Sequence, residues 1–490
     1  MSNPVGEDRK LIIETVEPKW YTINSSAIPS KLAHLFLGVT IGTTEPYINL
    51  LLINAGLSPS RAGIVNGISK LMWFLGSVLW GVVAGYYRNY RLLLLVAVIG
   101  AVSMSVPIPW VPELLSQAKY TVEEHITLSS NISTAAATGN SSTAIVVKMG
   151  QSNSNNSLFY VMLTLYPSMM LFDTFFSTLT DAAVMNQVVT SKRKIDYGRT
   201  RLFLPLGGAI GSFISSIMFK IDVSLLKIAK YSIQSFTLYP LAAISILING
   251  HFLLKKTILP KNSEVEGKKV LKCLSETICQ RYVMFFLCTT YMFGTMDGLN
   301  WNFAFVLMAE HTKQQILLGT AAATAFLSST ALYFVLSKLI KSIGGPLPMM
   351  GTSLICYSIR FLVYGYSKSA ILFVVIQVLN GISVSAFVTA ALMHTEAITP
   401  RLVKVSMYGL VNGLMFGAGS LTANMVGGIL YQNYGGKILF RGASMITFVW
   451  GLLVFLCYFF YRKRKDIQDA LETTLSSSED REASLRIIES

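Results

Sequence analysis

Windows of about 20 apolar residues, each long enough as a helix to cross a hydrocarbon core of roughly 30 Å, recur from Lys31 almost to Tyr461. Inside a bilayer the backbone has no water to bond with, so runs of this length without strict alternation must be helices. The spacing predicts spans at residues 31–55, 62–85, 92–112, 158–182, 202–219, 236–254, 282–308, 315–337, 346–366, 370–394, 405–430 and 438–461. With 52% of residues hydrophobic and only 13% charged, an ordinary soluble domain is excluded. The expected fold class is an all-α membrane protein with twelve transmembrane helices in two six-helix bundles.

The split into sixes follows from one polar stretch, "KKTILPKNSEVEGKKVLKCLSETICQR", from Lys255 to Arg281. Equal halves around a central linker are what a rocking transporter requires, with its substrate site between the bundles near the midplane. The expected organisation is a tail over 1–30, an N-terminal bundle over 31–254, the linker over 255–281, a C-terminal bundle over 282–461 and a second tail over 462–490.

Short cytoplasmic loops collect Lys and Arg. With the N-terminus inside, the inner loops hold Arg88 and Arg91, the group Lys192 to Arg201, the cations of the linker, Lys338 and Lys341, Arg401 and Lys404, and "YRKRK" at Tyr461. Both termini are thus expected in the cytosol, and the net charge of +15 reflects topology rather than a nucleic-acid surface. The Ser- and Asn-rich loop 113–157 then lies outside, with glycosylation acceptors at Asn131, Asn140 and Asn155. The stretch before Lys31 is polar and mixed in charge, so the first span is expected to serve as signal anchor. "EDRKLI" at Glu7 fits a sorting signal of a plasma membrane or endosomal membrane protein. There is no metal-ligand cluster, nucleophile elbow or phosphate-binding glycine loop, so the expectation is a monomer without cofactor or enzymatic activity.

Ionisable residues inside the spans carry the functional signal. A charge near the bilayer centre costs at least about 2.5–3.5 kcal/mol and persists only when paired or facing water. Glu45, Lys70, Asp173 and Asp297 meet that condition. At 1.5 Å per residue, Glu45 in "GTTEPYINLL" and Lys70 lie within about one turn of the same depth. They form either a proton carrier with its releasing cation or a permanent bridge between the first two spans.

Several strings resemble the major facilitator superfamily, in the branch that joins lactose permease-like proton symporters to animal major facilitator superfamily domain-containing protein 6. They are "LSPSRAGIVNGI" at Leu57, "TDAAV" at Thr180, "DYGRTRLF" at Asp196, "IKSIGG" at Ile340, "YSIRFLVYG" at Tyr357 and "GGILYQNYGG" at Gly427. The resemblance implies that Arg201 stands at the sugar-binding arginine of lactose permease and Asp181 at its partner carboxylate. That pair either grips a hydroxyl-rich or anionic solute or closes the inner end of the fourth and fifth spans as a salt bridge. It also implies that Arg360 matches a proton-coupling arginine and Asp297 a seventh-span aspartate whose lysine partner is here Phe416. The departures are as informative. Gln377, Asn380 and Ser383 replace the titrating set of the tenth span, so Gln377 and Asn380 are left as polar solute contacts. Phe326 replaces a carboxylate, and Gly208 replaces the tryptophan that stacks on the sugar.

The resulting expectation is a secondary active transporter that moves a small polar or charged organic solute by alternating access, with protons as coupling ion. Its candidate residues are Asp181, Arg201, Gln377 and Asn380 for solute, and Glu45, Lys70, Asp173, Asp297 and Arg360 for coupling or charge pairing. The alternative is a non-transporting membrane receptor or scaffold that displays loop 113–157.

Overall fold

The structure is a computed structural model that describes residues 28–87, 90–112, 114–115, 156–175, 178, 201–218, 239–246, 267–312, 314–400 and 403–460. Every regular element among these is helical. Helix is present inside each of the twelve expected spans, although for the sixth only residues 239–246 are described. Seven of the described helices are long and apolar enough to cross a membrane. The last of them, Gly436–Phe460, keeps only 28% of its apolar window inside the protein. Met445, Phe448, Val449 and Leu452 lie exposed along it, as residues facing lipid tails must.

Several spans are not the continuous helices that their hydropathy suggests. The first breaks into Ile28–Thr44 and Ile48–Asn54 around a turn at Glu45 to Tyr47. Pro46 causes the break, because it has no N–H to give the Gly42 carbonyl four residues back. The fifth span repairs the loss. Ser212 Oγ donates to the Gly42 carbonyl at 2.9 Å, and Tyr47 OH donates to the Ser212 carbonyl at 2.9 Å. Ser212→Ala should leave the Gly42 carbonyl buried and unpaired, at a cost of about 1–3 kcal/mol. Chemical unfolding of the detergent-solubilised protein checks this, and a change below about 0.5 kcal/mol would show that the kink does not need the hydroxyl.

Further interruptions fall in the C-terminal half. The seventh span carries a π-helical segment at Asn300–Ala304, the tenth one at Gly381–Ser385 after a 3-10 turn at Gln377–Leu379, and the eleventh one at Gly413–Gly419. Such bulges widen the turn and turn side chains out of register, and they concentrate at functional sites. The eighth span ends at Tyr333, and the expected continuation is a separate short helix, Leu336–Ser342. Within the linker, Gly267–Ile278 is a helix whose Leu274 and Ile278 rest on the C-terminal core.

Buried apolar side chains gather into two clusters, one drawn from residues 37–246 and one centred on residues 283–454. Tyr47 of the first span belongs to the second cluster. Between them run two lengthwise seams, the Pro59–Tyr87 helix against Ser420–Tyr434, and Phe203–Met218 against Gln315–Tyr333. Glycine makes both close. A Cβ on Gly63 would strike the Asn424 carbonyl, one on Gly428 would lie 2.8 Å from the Pro59 carbonyl, and one on Gly319 would strike Ser216. Gly413 and Gly417 admit the ring of Phe74, whereas Gly409, one turn further along, is exposed with nothing within 4 Å. The seam is therefore tightest at the Gly63 end and open at the Gly409 end. Polar contacts reinforce the tight end: Asn66 Nδ2 donates to Asn302 Oδ1, Asn49 Nδ2 to the Asn302 carbonyl at 3.2 Å, and the Ser60 N–H to Gln432 Oε1 at 3.3 Å.

Candidate functional site

The kink at Pro46 fixes where Glu45 points, and the unbroken helix Pro59–Tyr87 delivers Lys70 to it. Lys70 Nζ donates to Glu45 Oε1 in a direct ion pair. Their side chains keep 15% and 18% of their exposure, unlike the other charged groups at mid-span. A pair that still sees solvent at this depth faces a water-accessible space and not the packed core of a bundle. Asp173 and Asp297 both lie within electrostatic reach of it.

Around the pair the seam is aromatic. Trp73 meets Phe416 across the halves, edge to face at 6.5 Å, and Trp301 stacks on Phe326 at 5.0 Å. Phe326 in turn covers Gly208, where an added Cβ would fall 2.8 Å from its ring. The two departures from lactose permease thus compensate each other, since the ring at 326 fills the space that a larger residue at 208 would occupy. Phe416, at the place of the expected lysine, packs on Trp73 instead.

Asp297 finds its partner elsewhere. Tyr357 OH donates to Asp297 Oδ1 at 2.5 Å, and the Arg360 guanidinium lies 5.0 Å from the centre of the Tyr357 ring. Arg360 is fully buried rather than reaching for the surface. One nitrogen donates to Ser383 Oγ at 2.7 Å, and the other to Gln377 Oε1 at 2.7 Å and Asn300 Oδ1 at 3.0 Å. The seventh and tenth spans thus converge on one planar fork. The bulges supply the convergence, because Asn300 opens the first π segment and Ser383 lies inside the second. Gln377 and Asn380 are both buried. Gln377 serves Arg360, while Asn380 Nδ2 donates to the Ala325 carbonyl at 3.1 Å and to Ser329 Oγ at 3.2 Å. Both sit inside the C-terminal bundle, behind the aromatic seam.

In the N-terminal half, Asp173 is buried and accepts from Tyr239 OH at 2.8 Å. Arg201 stands at the head of the fifth span, partly buried. Asp181 and the acceptors Asn131, Asn140 and Asn155 lie outside the described residues. Among the described residues no group of three or more His, Cys, Asp or Glu could hold a metal ion.

Sequence reasoning did not find Tyr239, Tyr357, Asn300 or the trio Asn49, Asn66 and Asn302. A faint signal existed for the asparagines, as amides inside apolar runs need partners as surely as charges do. Tyrosine gives no such signal, because its ring suits a core and its hydroxyl is satisfied by whatever the fold brings near.

Lengthwise seams between two helical bundles, with an ion pair and buried carboxylates at mid-span, define a multi-pass membrane protein of the major facilitator fold. Residues 29–442 match the MFS_1 like family, and the chain belongs to that family. It is 24% identical over 272 residues to major facilitator superfamily domain-containing protein 6-like protein B of Xenopus laevis, covering 53% of this chain and 42% of that one. To the mouse (Mus musculus) major facilitator superfamily domain-containing protein 6-like it is 21% identical over 188 residues, covering 38% and 32%. The matched region therefore spans less than half the length of these relatives. Among solved structures, the nucleoside transporter NupG aligns with a TM-score of 0.63 at 12% identity, covering 89% of this chain and 99% of that chain. A POT family transporter in complex with a thioalcohol-conjugated peptide aligns with a TM-score of 0.59 at 11% identity, covering 88% and 95%. At such identities the likeness speaks for the fold alone.

Proposed function

We propose that this chain is a secondary active transporter that moves a small polar or charged organic solute by alternating access through twelve crossings, with proton coupling. The observation that carries this reading is the Glu45 to Lys70 pair: a costly ion pair at mid-span, partly open to solvent, between two buried carboxylates. A protein that only displayed a loop has no use for such groups. The similarity of its fold to transporters of nucleosides and peptides supports the same class, without assigning either solute to this chain. Phe326 over Gly208 argues against a galactoside, because its ring fills the space at the position where the resemblance puts the sugar-stacking tryptophan.

In this reading the domains follow the boundaries given above, both termini are cytosolic, and the protein works as a monomer in the plasma or endosomal membrane. Loop 113–157 is extracellular or lumenal and glycosylated at Asn131, Asn140 and Asn155. The tight Gly63 end of the seam is then the outer end, and the structure is closed outside and open toward the cytosol. Asp181 and Arg201 stand at the inner mouth.

Uptake into proteoliposomes from a panel of sugars, nucleosides, amino acids and organic anions, with and without a pH gradient, tests the reading. Glu45→Gln is expected to abolish uptake driven by the pH gradient while leaving solute exchange intact. A Glu45→Gln variant that keeps the wild-type pH profile would remove Glu45 from the coupling machinery. Absence of uptake for every solute, together with loss of an external partner's binding on deletion of 113–157, would replace the transporter by a receptor.

A further inference from the structure

Two cations stand in the interior of the described spans, Lys70 and Arg360. Arg360 is fully buried and committed to Ser383, Asn300 and Gln377. Lys70 keeps 15% of its exposure, and among the described residues its one bonded partner is Glu45. An ammonium has three donors, so the pair leaves Lys70 with bonding capacity turned toward open space. The other interior carboxylates do not use it. Asp173 accepts from the Tyr239 phenol and Asp297 from the Tyr357 phenol, and both are buried.

The pair lies between two layers. Toward the closed end of the seam, Asn66 precedes Lys70 by four residues and Asn49 follows Glu45 by four, and both donate to Asn302 of the seventh span. Toward the open end come rings. Trp73, one turn beyond Lys70 on the same helix face, meets Phe416 of the eleventh span. Gly42, three residues before Glu45, is pressed against the backbone of Gly208, and Gly208 lies under the ring of Phe326, which stacks on Trp301. All four aromatic residues are only partly buried. A solute that reaches the pair from the open end therefore meets one ammonium, one carboxylate and a set of rings.

We infer that the solute is a monocarboxylate with a flat apolar body, whose carboxylate takes the place of Glu45 on the Lys70 ammonium while its body lies among Trp73, Phe416, Trp301 and Phe326. The substrate class rests on the coupling role proposed above for Glu45. When Glu45 takes up a proton, Lys70 keeps its charge and loses its counter-ion, and an unpaired charge at this depth is costly. A carboxylate arriving on Lys70 removes that cost, and proton and anion together leave the net charge of the site unchanged. Other solutes fit less well. A dicarboxylate or phosphate ester brings further charge, for which the described residues at mid-span offer no second exposed cation. A sugar has hydroxyls but no charge for Lys70. An organic cation competes with Lys70 for Glu45 and leaves the ammonium without its partner. Aromatic rings stack on flat bodies, and the rings here stand one turn from the charge that holds the head.

Thermal unfolding of the purified full-length protein in detergent reads the site without transport. The probes are indole-3-acetate, phenylacetate and benzoate. Indole-3-acetamide lacks the charge, tryptamine inverts it, and acetate lacks the ring. At least one aromatic acid is expected to raise the midpoint saturably, with the amide, tryptamine and acetate binding roughly tenfold more weakly or worse. The affinity for the acid rises as pH falls from about 8 to about 6, a range in which the acids themselves stay ionised. The groups within electrostatic reach of Glu45 are Lys70 on the second span, Asp173 and Tyr166 on the fourth and Asp297 on the seventh. Lys70→Met removes the response to the acids. Glu45→Gln frees Lys70 without a proton, so it keeps the response and loses the pH dependence, which also guards against reading a misfolded Lys70 variant as a lost site. No response to any of the three acids, an equal response to tryptamine or the amide, a wild-type affinity that ignores pH, or unchanged binding in Lys70→Met would overturn the assignment. Binding of aromatic acids without uptake of any solute keeps the site and discards the transporter reading. Uptake of another solute without binding of these acids does the reverse.

Discussion

Arg360→Met is expected to lower the unfolding free energy of the detergent-solubilised protein by roughly 3–5 kcal/mol, the usual consequence of removing one member of a buried charged network. Three acceptors, Asn300 Oδ1, Gln377 Oε1 and Ser383 Oγ, converge on the guanidinium from the seventh and tenth spans. All three acceptors are buried, out of reach of bulk water. Asp297 would lose the charge of Arg360 at the same time, keeping the Tyr357 phenol and the more distant Lys70. Arg360→Lys should recover less than half of the loss. An ammonium is a point charge and cannot hold acceptors on two sides of a plane as the fork does. A denaturant titration in which Arg360→Met lies within about 0.5 kcal/mol of wild type would mean that the network is dispensable for stability.

Gly63→Leu acts on conformation rather than on the fold. The Asn424 backbone occupies the space that any Cβ at 63 would need, and backbone cannot swing aside as a side-chain end can. Overpacking of this kind costs about 1–3 kcal/mol, and only the arrangement closed at that end bears the cost. The population should therefore move roughly tenfold or more toward the arrangement open at that end. Spin labels on Asn54 and Asn433, both exposed there, should report a longer mean separation in Gly63→Leu than in wild type. Gly409→Leu is the control, since nothing lies within 4 Å of a Cβ at that position. Equal separations in all three proteins would show that the seam does not open at the Gly63 end.

Much of the fold was legible because a bilayer leaves a chain few choices. Helix lies inside each expected span wherever it is described, although the third ends at Ser105 and the eighth at Tyr333, because burying an apolar run of that length in lipid allows only a helix. The breaks were harder. Pro46 announced the first, but the bulges at Asn300, Gly381 and Gly413 arise from packing between spans, and no local pattern demands them. The glycines of the eleventh span show the same limit: Gly409, Gly413 and Gly417 share a face and a spacing, yet only the last two receive a neighbour's ring.

For the candidate site, sequence determined which groups are too costly to be accidental. Glu45, Lys70, Asp173, Asp297 and Arg360 stand out from the apolar runs by charge alone, and equal depth is enough to pair Glu45 with Lys70. The tertiary structure decided which charge answers to which partner. Depth along a helix can be counted from sequence, but rotation about it and the neighbour it meets cannot. So Asp297, whose expected lysine partner is Phe416, is capped by Tyr357, Arg360 lies fully buried inside a bundle, and Asp173 has a phenol and, among the described residues, no bonded cation. Hydrogen bonds of this kind join residues from 17 to 66 positions apart, a distance that only the packing of helices closes.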